Sequence, residues 1–530
     1  MQDWSSNSKS KPTFLTRRAG SKTLMRRARL SSSSPKALAA CSWPTADAMR
    51  SFVAVFQRRM TRIFRFDRAG FSATEAFDWV NHAEVFPTFL YRLYNTRPGL
   101  MVGDDDTISI PSKSEKKAMY DRLCDHAFYN NSEEFSEENM TQDSLWIKAA
   151  VFRTKDGKRV AEVVRCFTFG PPLSNADGMF GRATRVYRVI LEHDRTKPTV
   201  YALKDSWRQA CRRPEVDFYD MIETHCTTAG VDMAAAGMAK CRGSLDLAQP
   251  TDDIEWDPLL HITLDPKKPG LERRHTRSLL TPVGKPLQTF TSTKALAQAL
   301  RNAIIHLQIA SQAGVIHRDV SEGNVLLQEI SAEKGNFDGF LLDWDYAEFT
   351  EAGLARFHQA FPDREAATEN YLKIEKSLKD FTGTYPFVAV QILEANDPRK
   401  PLLSMEHGTH HDLESFYWLL VWMTLRHVAH THPSGDHACG DLFDTSTFSE
   451  KWTWLRDDSF NNTAPLFQLI EALRAHIFQQ NMPVLPIKPP PPRYQITFET
   501  VSGHFRHALG VPRLAIGRQG ARVHCSTHQL

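Results

Sequence analysis

The sequence predicts an α+β protein in which a small strand-rich lobe precedes a larger helical one. Three observations carry that prediction. Between residues 145 and 209 apolar and polar residues alternate, the period of half-buried strands. From residue 214 onward the apolar residues recur at helical spacing instead. In the second half, the polar clusters "HRDVSEGN" and "LLDWDYA" each adjoin an apolar run, which puts acids and an amide at the margin of a core.

A chain of 530 residues suits two to four domain-sized units or one large two-lobed domain. With 42% hydrophobic and 24% charged residues, the composition is that of a soluble globular protein. The net charge of +3 hides an asymmetry: the first 36 residues hold nine Lys and Arg against Asp3 alone. Setting that +8 aside leaves the body at about −5, which argues against a general polyanion binder. The longest apolar run, "FYWLLVWMTL" (416–425), is half a membrane span. Eight cysteines without a CxxC pair suit reduced thiols in an intracellular protein, cytoplasmic or nuclear. The basic, Ser-rich start has three readings: a disordered tail, a nuclear-import or polyanion-binding patch, or an organelle presequence.

In chain order, residues 1–45 form that tail and 46–140 are expected as a helical extension, with Phe86, Phe89, Leu90 and Leu93 at helical spacing. Inside it, "VGDDDTI" (102–108) reads as a solvated turn or helix cap rather than a metal loop, because no further ligand lies nearby in sequence. "SEEFSEEN" (132–139) reads as a surface loop. The strand-rich lobe spans 141–285. Two strand runs flank the turn "KDGK", a second pair follows in "GRATRVYRVILE" and "TVYALKDSW", and Pro214 with Glu215 opens a helix over 214–226. The helical lobe spans 286–515. Its first helix, 292–314, puts Leu296, Leu300, Ile304 and Leu307 on one face, with Ser292 as cap and Gly314 at the far end. "VLPIKPPPPR" (484–493) reads as a stiff arm, and 516–530 as a C-terminal tail.

The chemistry begins with "GVIHRDVSEGNVLL" (314–327), in which Asn324 follows Asp319 by five residues in H-R-D-x-x-x-x-N, the catalytic-loop pattern of protein kinases. That spacing lets one carboxylate orient a hydroxyl while an amide oxygen, a short loop later, holds Mg²⁺. In "LLDWDYA", Asp343 follows the apolar pair directly, at the place of the metal-holding Asp of D-F-G, and Asp345 stands where Gly is usual. Upstream, Lys204 in "VYALKDSW" is the candidate phosphate-contacting lysine, with Glu215 as its ion-pair partner and Glu223 as the alternative. The phosphate-covering hairpin is placed at 178–186, with Gly178, Gly181, Thr184 and Val186 at the nucleotide. Ala183 and Thr184 occupy positions where Gly would let backbone approach phosphates. "TGTYPFVAVQIL" (382–393) matches the end of an activation segment, with Thr384 placed to hydrogen-bond Asp319. Asp412 in "HHDLESF" either accepts backbone N–H bonds from the catalytic loop or caps its own helix.

Together "FRFDRAGFSATEAFDW", "GRATRVYRV", "ALKDSW", "HRDVSEGN", "LLDWDYA", "GTYPFVA" and "HDLESF" make the chain resemble the fungal-type protein kinases over about residues 60–420, a divergent branch of the kinase-like fold. The resemblance implies ATP and Mg²⁺ as cofactors and phosphoryl transfer to Ser or Thr of a protein substrate. Lys204 would contact the α- and β-phosphates, Asn324 and Asp343 would hold Mg²⁺, and Asp319, next to Arg318 and steadied by Thr384, would orient the acceptor. Arg318 also suggests an activation segment ordered by phosphorylation, with Ser377, Thr382 and Thr384 in reach. Three departures bear on activity: Ser321 replaces a usual Lys, Gln391 a usual Glu, and Asp345 a usual Gly. The rival readings are a small-molecule phosphotransferase of the aminoglycoside or choline kinase type, which "LLDWD" also resembles, and a pseudokinase scaffold. "RHVAHTHPSGDHAC" (426–439) offers His430, His432, His437 and Cys439 as zinc ligands, but reads as a solvated polar loop because the usual zinc spacing is missing.

Overall fold

A computed structural model describes residues 15–17, 50–95, 105–124, 135–176, 178, 180–194, 198–249, 255–263, 272–329, 337–364, 383–397, 405–444, 448–457, 460, 462–482 and 493–510. The expected arm at 484–493 apart from Arg493, the C-terminal tail and most of the N-terminal tail fall outside these residues, as do Ser377 and Thr382. Strand-rich sheets and twelve α-helices among the described residues give the α+β content expected. The chain divides into two compact units. One holds residues 1–212, 242–280 and 370–376; the other holds 213–241, 281–369 and 377–530.

The first unit corrects the sequence reading of 46–140. Residues 50–78 are not helical: strands Arg50–Gln57, Met60–Asp67 and Gly70–Ala73 form an antiparallel sheet, and Leu15–Arg17 of the basic start adds a strand beside Gly70–Ala73. The sheet's aromatic stack, Phe64, Phe66 and Phe71, explains the preference, since aromatic side chains pack well on a pleated surface. Helix begins only at Val85–Tyr94, where Phe86, Phe89, Leu90 and Leu93 lie. The turn at Asp105 is not solvated either; its side chain is 7% exposed and paired with Arg277.

The hairpin Trp146–Lys155/Lys158–Thr168 turns at Asp156-Gly157, as "KDGK" predicts. With strands Arg185–Leu191, Tyr201–Gln209 and Arg273–Thr281 it builds an eight-stranded sheet over a core of Ile147, Ala149, Val189, Leu203 and Leu279. Along Tyr201–Gln209, Lys204 lies opposite Val186 on one neighbour and Ser278 on the other.

The second unit carries the expected helices. Helix Glu215–Ala229 groups here, starting after Pro214 and ending at left-handed Gly230. Helix Thr293–Gln312 is capped by Ser292, whose side chain accepts from the Ala295 N–H, and it buries Leu296, Leu300, Ile304 and Leu307. Strand Phe337–Leu341 lies flat on that helix. A Cβ on Gly339 would stand 2.1 Å from the Ala299 carbonyl oxygen, so only glycine permits the approach. The apolar run 416–425 lies within helix Thr409–His427, buried on nearly every side as such a helix must be. No helix among the described residues is long and apolar enough to cross a membrane. The described cysteines are free thiols.

Candidate active site

In the second unit the loop after Val315–Ile316 is fixed from below. Asp412, fully buried, accepts the backbone N–H groups of His317 (2.9 Å) and Arg318 (3.0 Å). Gly408, not Asp412, is the helix cap, so Asp412 braces the loop. Burial opposes its ionisation, but His407 at 2.9 Å and the donated N–H bonds outweigh that and hold its carboxyl below the usual range. His317 accepts the Asp319 N–H at Nδ1, so its ring proton sits on Nε2, which donates to the Leu342 carbonyl at 3.1 Å. One imidazole thus ties the Asp319 loop to the strand end that carries Asp343.

Around Asp319 the geometry is specific. Oδ1 accepts both the backbone N–H and the hydroxyl of Thr384, each at 2.8 Å, as the sequence expects. Asn324 Nδ2 donates to the Asp319 carbonyl at 2.8 Å and reaches Oδ2 at 3.3 Å, which leaves the amide Oδ1 as the atom available to a cation. Arg318 and Asp343 both adopt left-handed backbone, at φ 69° and 68°. For side-chain-bearing residues that costs about 1–2 kcal/mol each, and such strain gathers at functional sites. The Arg318 guanidinium rests on Glu348 at 2.8 Å.

Asp343, Asp345 and Glu215 offer carboxylate oxygens that all lie within 4.8 Å of one another. The Glu215 carboxylate accepts the Trp344 N–H at 3.1 Å, and the Asp345 N–H donates to Asp343 at 3.3 Å. Trp344 packs against His317, with ring centres 4.7 Å apart. The structure therefore groups Asp345, which stands where Gly is usual, with the candidate metal-holding acids. Glu223, the alternative to Glu215, is 43% exposed and pairs with Lys240 at 3.5 Å.

The end of the activation-like segment is held by groups the sequence did not suggest. Gln391 donates to the Gln480 carbonyl at 2.7 Å and does not sit idle in its Glu position. An acid is supplied instead by Glu414, fully buried, which accepts from the Val390 N–H, Trp418, Gln480 and Asn481 while burial pushes its pKa up. Lys451, also buried, donates to the Val388 carbonyl at 2.7 Å, and burial pushes its pKa down to about 7.

In the first unit Lys204 is buried, 4% exposed, in the middle of its strand. Gly181 takes φ 103° and Ala183, at φ 44°, takes the left-handed conformation in a position where glycine would be unstrained. Val186 pairs across the hairpin strand with Ser174 and Lys204, and the Thr184 hydroxyl is buried with no partner among the described residues. Sequence reasoning missed Arg68 of "FDRAG". Its carbonyl accepts the Gly181 N–H at 3.0 Å and its guanidinium donates to the Gly178 carbonyl at 3.1 Å, so the N-terminal sheet grips both glycines of the hairpin.

The histidine stretch 426–439 departs from its sequence reading in one respect. His432 is buried, stacked on Trp454 with ring centres 5.1 Å apart, and not solvated; His430 bonds the Leu425 carbonyl at 3.2 Å. The four residues do not come together as a metal cluster among the described residues.

A braced H-R-D loop facing a D-W-D strand end, in a chain with a lysine-bearing strand sheet, defines a kinase-like protein. The sequence model of a family described as fungal protein kinase matches residues 37–424, most of the chain, and the chain belongs to that family. A search of curated proteins finds no match.

Proposed function

We propose that the protein transfers the γ-phosphate of Mg-ATP to Ser or Thr hydroxyls of a protein substrate, the strand-rich unit acting as the small lobe and the helical unit as the large one. The observation that carries this reading is Asp319. One oxygen is fixed by two Thr384 bonds, and the other, near Asn324, can meet an acceptor hydroxyl and orient it for in-line attack. The donor set fits a nucleotide and a divalent cation. The clustered acids around Asp343 call for positive charge, Asn324 keeps an amide oxygen to offer, and Thr184 carries a buried hydroxyl in want of an acceptor. Bound Mg²⁺, held by Asp343 and Asn324, would neutralise charge building on the transferring phosphate. Lys204 would contact the α- and β-phosphates beneath the 178–186 hairpin, and Glu215 would fix the Trp344 backbone beside Asp343. Arg318, paired with Glu348, is the group that a phosphorylated activation segment would claim.

The test is autophosphorylation and peptide-array labelling with radiolabelled ATP. Asp319→Ala is expected to abolish labelling while ATP binding stays nearly intact, and Asp343→Asn to weaken Mg-ATP binding. Wild-type chain that is not stabilised by Mg-ATP in a thermal-shift titration would instead mark a scaffold. A second reading rests on Asp345, whose place beside Asp343 matches the D-W-D of small-molecule phosphotransferases. Turnover of amino alcohols or sugars without protein labelling would establish it.

A further inference from the structure

The strand-rich unit buries a set of charged residues for which phosphoryl transfer has no use. Asp205 follows Lys204 in its strand and by alternation faces the other side of the sheet. There it meets His275 and Arg277 of the neighbouring strand and, through them, Asp105, Asp106 and His261.

We propose that Asp105, His261 and His275 bind a divalent transition cation of the zinc type. The Nδ1 atoms of the two histidines face each other at 3.0 Å, and Asp105 Oδ2 stands 3.9 Å from His275 Nδ1. Ligands on a tetrahedral cation with bonds of about 2.0–2.1 Å stand roughly 3.4 Å apart, between those two separations. Behind each ring stands a carboxylate: Asp205 Oδ1 lies 2.5 Å from His275 Nε2, and Asp106 Oδ1 lies 3.1 Å from His261 Nε2. A carboxylate on the far nitrogen is how proteins fix a ligating imidazole and raise its basicity. Those carboxylates are themselves held, Asp205 by Arg277 Nε at 2.7 Å and Asp106 by the Asp257 N–H at 2.8 Å. Asp105 is oriented by Arg277 and by the Thr107 N–H at 2.9 Å.

Formal charge points the same way. Arg277, fully buried, pairs with both Asp105 and Asp205, and Asp106 adds a third carboxylate behind His261, so the carboxylates outnumber the guanidinium and a divalent cation would offset the excess. Two imidazole nitrogens and one carboxylate suit zinc, whereas Mg²⁺ and Ca²⁺ select all-oxygen sites. Without a cation, the two facing Nδ1 atoms must share a proton instead.

The site is independent of the catalytic reading, and its test needs no activity. Full-length, untagged protein stripped with EDTA is dialysed against ZnCl₂ alone, desalted and assayed for metal, and Co²⁺ is used as the spectroscopic probe. The expected result is one tightly held zinc per chain, a visible Co²⁺ band of tetrahedral type, and a higher melting temperature with Zn²⁺. His261→Gln and His275→Gln should lose the ion, and Asp106→Asn should weaken it by about 10- to 100-fold. His432→Ala, in the other histidine cluster, should keep it. Wild-type protein that retains no zinc and gives no Co²⁺ band overturns the proposal, because this readout does not depend on any variant folding. Retention unchanged in His261→Gln and His275→Gln overturns it equally.

Discussion

Among single residues, Thr384 bears most directly on chemistry, because its hydroxyl donates to the same Asp319 oxygen as its own backbone N–H. Thr384→Val removes one hydrogen bond to a charged acceptor and keeps the other. With about 1.5–3 kcal/mol at stake, kcat is expected to fall by about 10- to 150-fold with KM for ATP unchanged, in a steady-state labelling assay. Asp319, Asn324 and Thr384 were legible in the sequence because each sits in a short contiguous motif, and the Asp412 brace because its apolar helix announces burial. Glu414 and Lys451 were not legible. Nothing local marks Glu414 as the substitute for the acid that Gln391 lacks, since the partners other than Trp418 lie 24, 66 and 67 residues away.

At the level of elements, helix Thr293–Gln312 supports two expectations. His306 on its buried face bonds the Ala236 carbonyl at 2.8 Å, and burial holds its pKa down to about 4. The unfolded chain therefore binds a proton, below about pH 6.5, that the folded chain refuses until about pH 4. Stability from this group is present above pH 6.5 and lost as pH falls towards 4, by up to roughly 3 kcal/mol. His306→Gln should flatten that limb in denaturant titrations between pH 7 and 4. Against the same helix, Gly339→Ala in strand Phe337–Leu341 forces a Cβ onto the Ala299 carbonyl, and a loss of about 1–3 kcal/mol is expected from the urea midpoint. The strands from 146 to 209 were readable from their alternation, and the helices from their spacing. The sheet at 50–73 was not, because it is half exposed and its arginines interrupt the apolar rhythm, so the genuine helix at Val85–Tyr94 coloured the reading upstream.

For the whole molecule, charge is distributed along the chain more than it is summed. The first 36 residues hold +8 of a net +3, and the remainder is acidic. Retention on heparin is therefore expected for the full chain and expected to be lost when Arg26, Arg27 and Arg29 are replaced by Ser; elution at unchanged salt would place the polyanion contact elsewhere. Distance along the chain also shaped what could be read. Asp105 and Arg277 are 172 residues apart, and no window of sequence shows that they meet. The same separation governs birth as well as form. On the ribosome, Asp105 and Asp205 emerge long before Arg277, and with them Arg68 waits 110 residues for the Gly178 carbonyl it will hold. The strand-rich unit thus lacks the guanidinium that pairs Asp105 with Asp205 until its late strand Arg273–Thr281 has been translated.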